Sequence, residues 1–320
     1  MRRPRALRWA ALALLGALLV TFPYWSEPWE SSRFATTILR DVLIYATFAM
    51  SLDLLVGYAG MPSLGHAAFF GAGAYSAGIA AQRLETSQLV VTMGAAALVA
   101  AVLALVIGTL VVRTEGIFFL MLTLAFAQVV FAIVFQWTPV TGGSNGFSGV
   151  RRPAVGELDL AAPDRMYVLV AVVFLLVALL LWRITRSAYG RALVGVRENE
   201  RRMRALGYDT ARLRLSAFVL AGALAGVAGA LSAYAFRFVS PNDAGIGTSI
   251  TAFVMVLIGG AGTIVGPAIG AGVVIYIERV LSSDVVWWQT LLGVLFVAFV
   301  LLARQGIVGV ARRVPALVRR

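Results

Sequence analysis

Residues 183–212 read RITRSAYGRALVGVRENERRMRALGYDTAR and form a charged island in a 320-residue chain that is 60% hydrophobic. The island holds eight of the 27 arginines and only three acidic residues, Glu198, Glu200 and Asp209. A charged side chain at the bilayer centre costs about 2.5 to 3.5 kcal/mol even on lenient insertion scales. The island must therefore lie outside the lipid, and its positive sign predicts a loop on the cytoplasmic side.

The composition around the island is typical of a protein that crosses the membrane several times. Mean hydropathy is +0.89 and only 13% of residues are charged, which excludes a soluble globular domain. The net charge is +12. All the positive side chains are arginines, and they lie at the ends of apolar runs. This distribution favours anchoring to the inner leaflet over binding to nucleic acid. The chain has no cysteine, which excludes disulfides, thiolate metal sites and cysteine nucleophiles.

Apolar runs long enough to cross the membrane recur along the chain. A helical crossing needs roughly 20 apolar residues, and lipid favours helices because it offers the backbone no hydrogen-bond partner. Ten runs qualify or nearly qualify: 6–22, 36–56, 63–82, 88–112, 116–137, 166–182, 213–236, 249–261, 264–281 and 285–303. If the first run enters from the cytoplasm, the tails and inner loops hold most of the arginines. We therefore expect an all-α polytopic membrane protein, a single permease domain over 1–320, with about ten transmembrane or re-entrant helices and both termini cytoplasmic.

Two apolar runs are interrupted. The run 249–261 has only 13 residues, and the sequence GGAG at 259–262 and Pro267 separate it from the next run. Residues 249–281 are therefore either two spans or a re-entrant pair of half-helices. The run after Pro62 begins with polar or small residues, which indicates a second break; broken backbone at membrane depth must be covered by protein or line a water-filled cavity.

Two polar residues near this second break are candidates for chemistry. His66 is the only histidine, so a histidine-based metal site or catalytic triad is excluded. A lone histidine is more often packed and hydrogen-bonded, but this position favours holding the broken helix or lining a path. Asp53 could bind a solute or an ion; capping or snorkelling to the nearby interface is the favoured interpretation.

The island itself has the pattern of a short amphipathic helix of roughly 25 Å. The positions that recur at three- and four-residue spacing are Ala192, Val196, Asn199, Met203 and Leu206. Gly207 is predicted to close the helix in a left-handed conformation, and Asp209 or Thr210 to cap the following span. Such a helix is either a rigid lever between two spans or a segment that lies on anionic lipid.

Glycine clusters mark a loop and two helix contacts. The longest outer loop, 138–165, contains TGGSNG at 141–146, and a loop of this length without helical periodicity is usually functional or mobile. The pairs Gly222 with Gly226 and Gly266 with Gly270 predict close helix packing.

Three segments carry a resemblance to a known family. They are GYAGMPSLGHAAFFGAGAY at 57–75, TGGS at 141–144, and the island segment with GRA at 190–192, RENE at 197–200 and ALGY at 205–208. Together they resemble the membrane permease of bacterial branched-chain amino-acid ABC importers, the LivM type, over nearly the whole chain. The resemblance implies a fold similar to type II ABC importers and a coupling loop at 183–212.

The resemblance also implies partners and a location. We expect a multi-pass protein of the bacterial inner membrane, with a second permease subunit, two cytoplasmic ATPase subunits and a periplasmic solute-binding protein. The chain would be a non-catalytic translocation subunit that binds no metal and no cofactor, since ATP and Mg would be held by the partners. Branched-chain amino acids are the expected solute; urea, short amides and aromatic acids stay open. An ion-coupled secondary transporter using Asp53 and an intramembrane enzyme are the other classes considered.

The resemblance assigns three groups of site residues. Those expected to couple to the ATPase are Arg191, Arg197, Glu198, Asn199, Glu200, Ala205, Leu206 and Gly207. Those expected at the translocation path or helix break are Gly57, Gly60, Ser63, Gly65 and His66. Those expected in the outer loop are Thr141, Gly142, Gly143 and Ser144. The chain departs from the family at Arg201, Arg202 and Met203, where small apolar residues are common, and at Asp53, where asparagine is common.

Overall fold

The computed structural model describes residues 16–26, 32–83, 88–155, 158–160, 162–282, 287, 290, 293–294, 296–297 and 306–309. Twelve α-helices can be bounded within these residues: α1 (Phe22–Ser26), α2 (Ser32–Asp53), α3 (Ala67–Arg83), α4 (Leu89–Val111), α5 (Gly116–Gln136), α6 (Thr138–Thr141), α7 (Pro163–Arg186), α8 (Ala188–Glu198), α9 (Glu200–Ala205), α10 (Thr210–Phe236), α11 (Ile246–Gly259) and α12 (Val265–Tyr276). Two π-helical turns extend α2 and α12, at Leu54–Ala59 and Ile277–Leu281.

Five described helices are long and apolar enough to cross a membrane: the segment Arg33–Ala59 formed by α2 and its π-turn, α4, α5, α7 and α10. The predicted number of ten is not confirmed. Helix α3 has 17 residues, at the lower limit for a crossing, and α11 has 14, which falls short of one. The predicted runs 6–22 and 285–303 lie largely outside the described residues.

Helices α2 and α10 form the centre of the bundle. In their most apolar windows, 78% and 67% of the residues are buried, against 22% to 28% for α4, α5 and α7. Helix α10 packs on α4, α3 and α2, while α2 also packs on α7 and α12. The outer helices turn large apolar side chains such as Leu98, Phe118 and Leu176 away from the core. These faces suit contact with lipid or with a neighbouring apolar subunit.

Small residues let the central helices approach closely. A Cβ atom at Gly226 would lie 2.4 Å from the Cβ of Ala100 on α4, and one at Gly222 would lie 2.5 Å from the Cβ of Ala104. On the other side, a Cβ at Gly73 of α3 would lie 2.2 Å from the carbonyl oxygen of Gly226. The predicted packing role of the glycine pair in α10 is confirmed.

Residues 246–276 form a hairpin of two short helices. Helix α11 spans only about 21 Å, and residues 260–264 join it to α12. The two helices pack through glycine: a Cβ at Gly270 would lie 1.9 Å from the carbonyl oxygen of Met255. The turn between the two helices lies against Gly57, and a π-turn continues α12 to Leu281, so the hairpin is compatible with both predicted arrangements.

The predicted outer loop is more structured than its lack of helical periodicity indicated. It contains the single turn α6, a 3₁₀ turn at Gly143–Asn145 and the strands β1 (Phe147–Ser148), β2 (Ala154–Val155) and β3 (Leu158–Asp159). Strand β1 pairs antiparallel with β4 (Phe238–Val239), which follows α10, and β2 pairs with β3. The loop is thereby fixed to the end of the central helix.

The close contact at Gly73 generates a stability prediction. Replacing Gly73 with alanine forces the backbones of α3 and α10 apart, and we expect a loss of about 1 to 3 kcal/mol, as for other overpacked cores. The matched control is Gly94→Ala on α4, where the added Cβ meets nothing within 4 Å. Thermal unfolding of the detergent-solubilised chain measures both. Equal melting temperatures would contradict the close-packing interpretation.

Candidate coupling site

The island folds as two short helices, α8 and α9, and not as the single predicted helix. Ser187 precedes α8, and its Oγ accepts the N–H of Gly190 at 3.3 Å. Asn199 leaves the helical conformation, with φ −159°, and its Oδ1 accepts the N–H of Arg202 at 2.9 Å. The single-helix prediction is wrong because this amide caps α9 in place of continuing α8.

The predicted caps at the end of the island are confirmed. Gly207 has φ +87°, and its N–H bonds to the carbonyl of Arg204 at 2.9 Å. The N–H of Tyr208 bonds to the carbonyl of Met203 at 3.1 Å, which completes a glycine-based helix end. Asp209 then caps α10, with its Oδ1 accepting the N–H of Arg212 at 3.0 Å.

Only part of the predicted apolar stripe is buried. Ala192, Val196 and Met203 are buried together against Leu213 at the start of α10. Leu206 is 67% exposed, and Asn199 is exposed as well, so these two positions of the predicted stripe do not pack against the bundle. Leu206 and the half-exposed Tyr208 are close in sequence, so this arginine-rich segment presents two large apolar side chains at its surface.

Glu200 ties the island to the rest of the bundle. Its Oε1 accepts the hydroxyl of Thr210 at 2.8 Å and a hydrogen bond from Arg204, and its Oε2 pairs with Arg214 at 3.0 Å. Arg214 reaches onward to the carbonyl of Thr114 at 3.2 Å. The predicted inner segments 113–115 and 183–212 therefore meet at one end of the bundle. Sequence reasoning missed Arg214 because it lies just beyond the island.

The electrostatics of this cluster favour an ionised Glu200. Partial burial raises the pKa of Glu200, but its partners lower it by more, and the net pKa lies below the usual value. The groups that lower it are Glu115, Thr210, Arg204 and Arg214. The carboxylate consequently stays charged at neutral pH and holds its cations.

Arg197 connects the island to two helix breaks. Its guanidinium donates a hydrogen bond to the carbonyl oxygen of Gly57 in the π-turn that follows α2. A Cβ at Gly60 would lie 2.6 Å from the Cγ of Arg197, so the glycine makes room for that side chain. Beside them, the Oδ1 of Asp53 accepts the N–H of Gly262, in the turn between α11 and α12, at 2.8 Å. The structure thus brings together residues that the sequence assigned to separate groups.

Asp53 does not snorkel. Its side chain is buried, and it binds the backbone of another segment rather than capping its own helix. The prediction that Asp53 snorkels to the interface is therefore wrong. The turn at Gly262 packs closely against Gly57, where a Cβ would lie 2.1 Å from the Gly262 nitrogen, and this contact brings the Gly262 N–H within reach of Asp53.

The second break is packed by protein. His66 is fully buried, its Nε2 lies 2.9 Å from the Oγ of Ser51, and its ring stacks on Phe48. The buried hydroxyl of Ser63 accepts the N–H of Gly65 at 3.3 Å. This placement favours holding the broken helix over lining an open path.

The outer-loop residues form a separate group. The hydroxyl of Thr141 donates to the carbonyls of Val134 and Trp137 at 2.6 and 2.8 Å, and Gly142 and Gly143 both have positive φ. Ser144 is exposed. Helix α5, about 32 Å long, separates this loop from the turn at residues 113–115, so the structure does not join it to the island. Among the described residues, no three histidine, aspartate or glutamate side chains cluster as metal ligands.

Comparison with known proteins identifies the family of this chain. Residues 34–302 match the family model described as branched-chain amino acid transport system, permease component. The chain belongs to this permease family. It is therefore an integral membrane protein and a permease component of an ABC-type transport system, which implies partner subunits.

Several curated permeases are similar to the chain. It is 30% identical over 322 aligned residues to the high-affinity branched-chain amino acid transport system permease proteins LivM of Salmonella typhimurium and Escherichia coli K12. Each alignment covers 93% of this chain and 75% of the relative. The autoinducer 2 import system permease protein LsrC of Escherichia coli O9:H4 is 32% identical over 135 residues, covering 40% of this chain and 39% of the relative. No solved structure matches the chain.

The Glu200 cluster generates a prediction. Glu200→Gln leaves the guanidinium of Arg214, which is 8% exposed, without its closest carboxylate, and we expect a stability loss of about 1 to 3 kcal/mol. Glu198→Gln, at an exposed neighbouring position, is the matched control and should be neutral. Thermal unfolding of the purified chain at pH 7 measures both.

The pH dependence of this effect has a defined sign. Because the pKa of Glu200 is lowered in the folded chain, its stabilisation is present above its unfolded pKa of about 4.3 and is lost as the pH falls through the folded value. The difference between the wild-type chain and Glu200→Gln should therefore shrink below about pH 4.3. A difference that stays constant as the pH falls well below about 4.3, through the folded pKa of Glu200, would contradict the ionised cluster.

Proposed function

We propose that the chain is the translocation subunit of an ATP-driven importer in the bacterial inner membrane. Solute delivered by a periplasmic binding protein would pass between this chain and a second permease chain. Two cytoplasmic ATPase subunits would bind and hydrolyse ATP with Mg²⁺ and act on the island. The observation that carries the proposal is the construction of the island as two capped helices joined by side chains to the breaks in the membrane bundle.

The exposed face of the island supports docking of another protein. Leu206 is a large apolar side chain with 67% of its surface exposed, next to Tyr208, in the most charged segment of the chain. An apolar centre within a charged rim is the common anatomy of a protein interface. The same segment could bind anionic lipid, but lipid contact alone gives no reason for the side-chain connections made by Arg197 and Glu200.

The connections offer a route for coupling. A movement of α8 would carry Arg197 and, through it, the backbone around Gly57. Since Gly57 touches the turn at Gly262, the ends of α2 and α11 would shift with the island. Catalysis is not required of this chain; it would supply geometry and coupling free energy to hydrolysis on its partners.

Branched-chain amino acids are the proposed solute. Support comes from the LivM proteins, permeases of high-affinity branched-chain amino acid transport systems, which the chain matches along almost all of its length. The match to LsrC, a permease of an autoinducer 2 import system, shows that related permeases serve import systems for other solutes. Urea, short amides and aromatic acids are the alternatives to test.

An ion-coupled secondary transporter is less well supported. That class needs an intramembrane carboxylate that an ion can reach. Asp53 was the candidate from sequence, and it is buried and bonded to Gly262.

Reconstitution tests the proposal directly. The chain, a second permease subunit and the ATPases encoded with them are placed in proteoliposomes with the solute-binding protein outside. Uptake of radiolabelled leucine should require ATP and Mg²⁺ inside and the binding protein outside. Uptake by this chain alone, driven by a proton or sodium gradient, would contradict the importer assignment. ATP-driven uptake of urea or an aromatic acid, with none of leucine, would retain the class and replace the solute.

Leu206 provides a test of the docking surface. We expect Leu206→Asp to lower ATP-driven uptake about tenfold or more, because a charge replaces an exposed apolar contact, while leaving the melting temperature of the isolated chain unchanged. Leu206→Met retains apolar bulk and is the control. Co-purification of the ATPases and uptake are measured together. Unchanged uptake in Leu206→Asp would argue that the island only anchors the chain to lipid.

A further inference from the structure

A cavity of about 460 Å³ lies between five segments at the opposite end of α11 from Gly262. Its walls come from α2, α5, the turn at Asn242–Gly245, the start of α11 and the π-turn after α12. Its lining includes Tyr45, Gln128, Phe131, Ile246, Thr251 and Glu278. The volume lies in the range of small-molecule sites. None of these residues was assigned a role by sequence reasoning.

Two polar side chains line the cavity, one on an apolar helix and one near the end of the bundle. Gln128 is an exposed residue in the middle of α5, one of the most apolar helices, and its amide makes no hydrogen bond to a described residue. Glu278 lies on the π-turn Ile277–Leu281 and forms no ion pair with a described residue. Polar and ionisable side chains in such places usually mark a solute path, and π-turns often occur at functional sites.

The cations near Glu278 are already engaged. Asp41 pairs with Arg40 at 2.8 Å and with Arg279 at 3.3 Å. Both guanidinium groups also stand over the ring of Phe236. Asp243, the other carboxylate at this end, accepts the N–H of Ser240 at 2.8 Å. Glu278 therefore gives one wall of the cavity a carboxylate, while the neighbouring cations Arg40 and Arg279 pair with Asp41.

The facing wall is the start of α11. The first turn of a helix has backbone N–H groups without intrahelical acceptors and a partial positive charge. Here that turn, from Ile246 to Thr248, lines the cavity, and no described residue accepts its N–H groups. Phe131 and Ile246 supply apolar surface between the two polar walls.

We propose that this cavity binds the zwitterionic form of an α-amino acid, with its ammonium group at Glu278 and its carboxylate at the first turn of α11. The amide of Gln128 and the hydroxyl of Tyr45 are placed to take remaining hydrogen bonds, and an aliphatic side chain packs on Phe131 and Ile246. The inference rests on the proposed function, because it defines where that importer holds its solute. It assigns Glu278 as a binding residue.

The absence of cysteine from the chain allows a direct test. Thr251 lines the cavity, and Thr251→Cys introduces a single thiol there. Right-side-out membrane vesicles holding the assembled transporter are treated with a membrane-impermeant methanethiosulfonate, with and without millimolar L-leucine. The readout is the modification rate of the introduced thiol on this chain. Thr37→Cys, which replaces an exposed threonine of α2 at a separate cavity, is the control.

Leucine should slow the modification of the Thr251→Cys chain about tenfold and leave the rate for the Thr37→Cys chain unchanged. Losing one charge-assisted contact should weaken protection about tenfold or more. We therefore expect little protection by 4-methylpentanoate, which lacks the ammonium group, or by 3-methylbutylamine, which lacks the carboxylate.

Adding Glu278→Gln to the Thr251→Cys chain should abolish protection by leucine, whereas Asp164→Asn should not. Comparing rates with and without leucine within each variant removes the effect of charge on the reagent.

Several outcomes would overturn the inference. Equal protection by leucine and 4-methylpentanoate would remove the role of Glu278, and protection by urea alone would indicate a site for neutral amides. A thiol at position 251 that reacts in the isolated chain but not in the assembled transporter would show that a subunit covers the cavity. Failure of protection in vesicles that still accumulate leucine with ATP would reject this site and leave the proposed function standing.

Discussion

Backbone groups at a break in a membrane helix need hydrogen-bond partners from the protein, and this constraint organises the bundle. Each break described here receives a side chain from a distant segment. Arg197 donates to the carbonyl of Gly57, Asp53 accepts from Gly262, and Ser249 accepts the N–H of Ala67 at 2.9 Å. These contacts connect the island, the end of α2 and the α11–α12 hairpin. The glycines at the same places let the segments come close enough for the bonds to form.

Features with a local physical cause could be predicted from the sequence. The island was recognisable because charge is excluded from lipid, and Gly207 because a left-handed helix end favours glycine. The close packing at Gly226 followed from its spacing with Gly222. The break at GGAG in 259–262 was predicted from its glycines, and the structure places the turn between α11 and α12 there. The number of crossings was harder, because α3 and α11 are apolar yet short.

Features that depend on long-range contacts could not be predicted. Arg197 and Gly57 lie 140 residues apart, and no local pattern pairs them. Asn199 has the spacing of a helical stripe and also the amide of an N-cap, and only the three-dimensional packing decides between the two. Glu278 was hidden in an apolar run that counted as a span. The family resemblance assigned the island and the helix breaks to separate groups of residues, whereas in the fold Arg197 of the island contacts Gly57 at a break.

The contact made by Arg197 has a thermodynamic consequence. One side chain belongs to the island and also completes the backbone bonding of a helix break, so the state of each depends on the other. Free-energy linkage between two sites is reciprocal. If a subunit that binds the island shifts the conformation of the break, then a solute that shifts the break must change the affinity of that subunit for the island. The two effects correspond to the same coupling free energy. Solute and ATPase would then report on each other through equilibrium binding alone, before any nucleotide is hydrolysed.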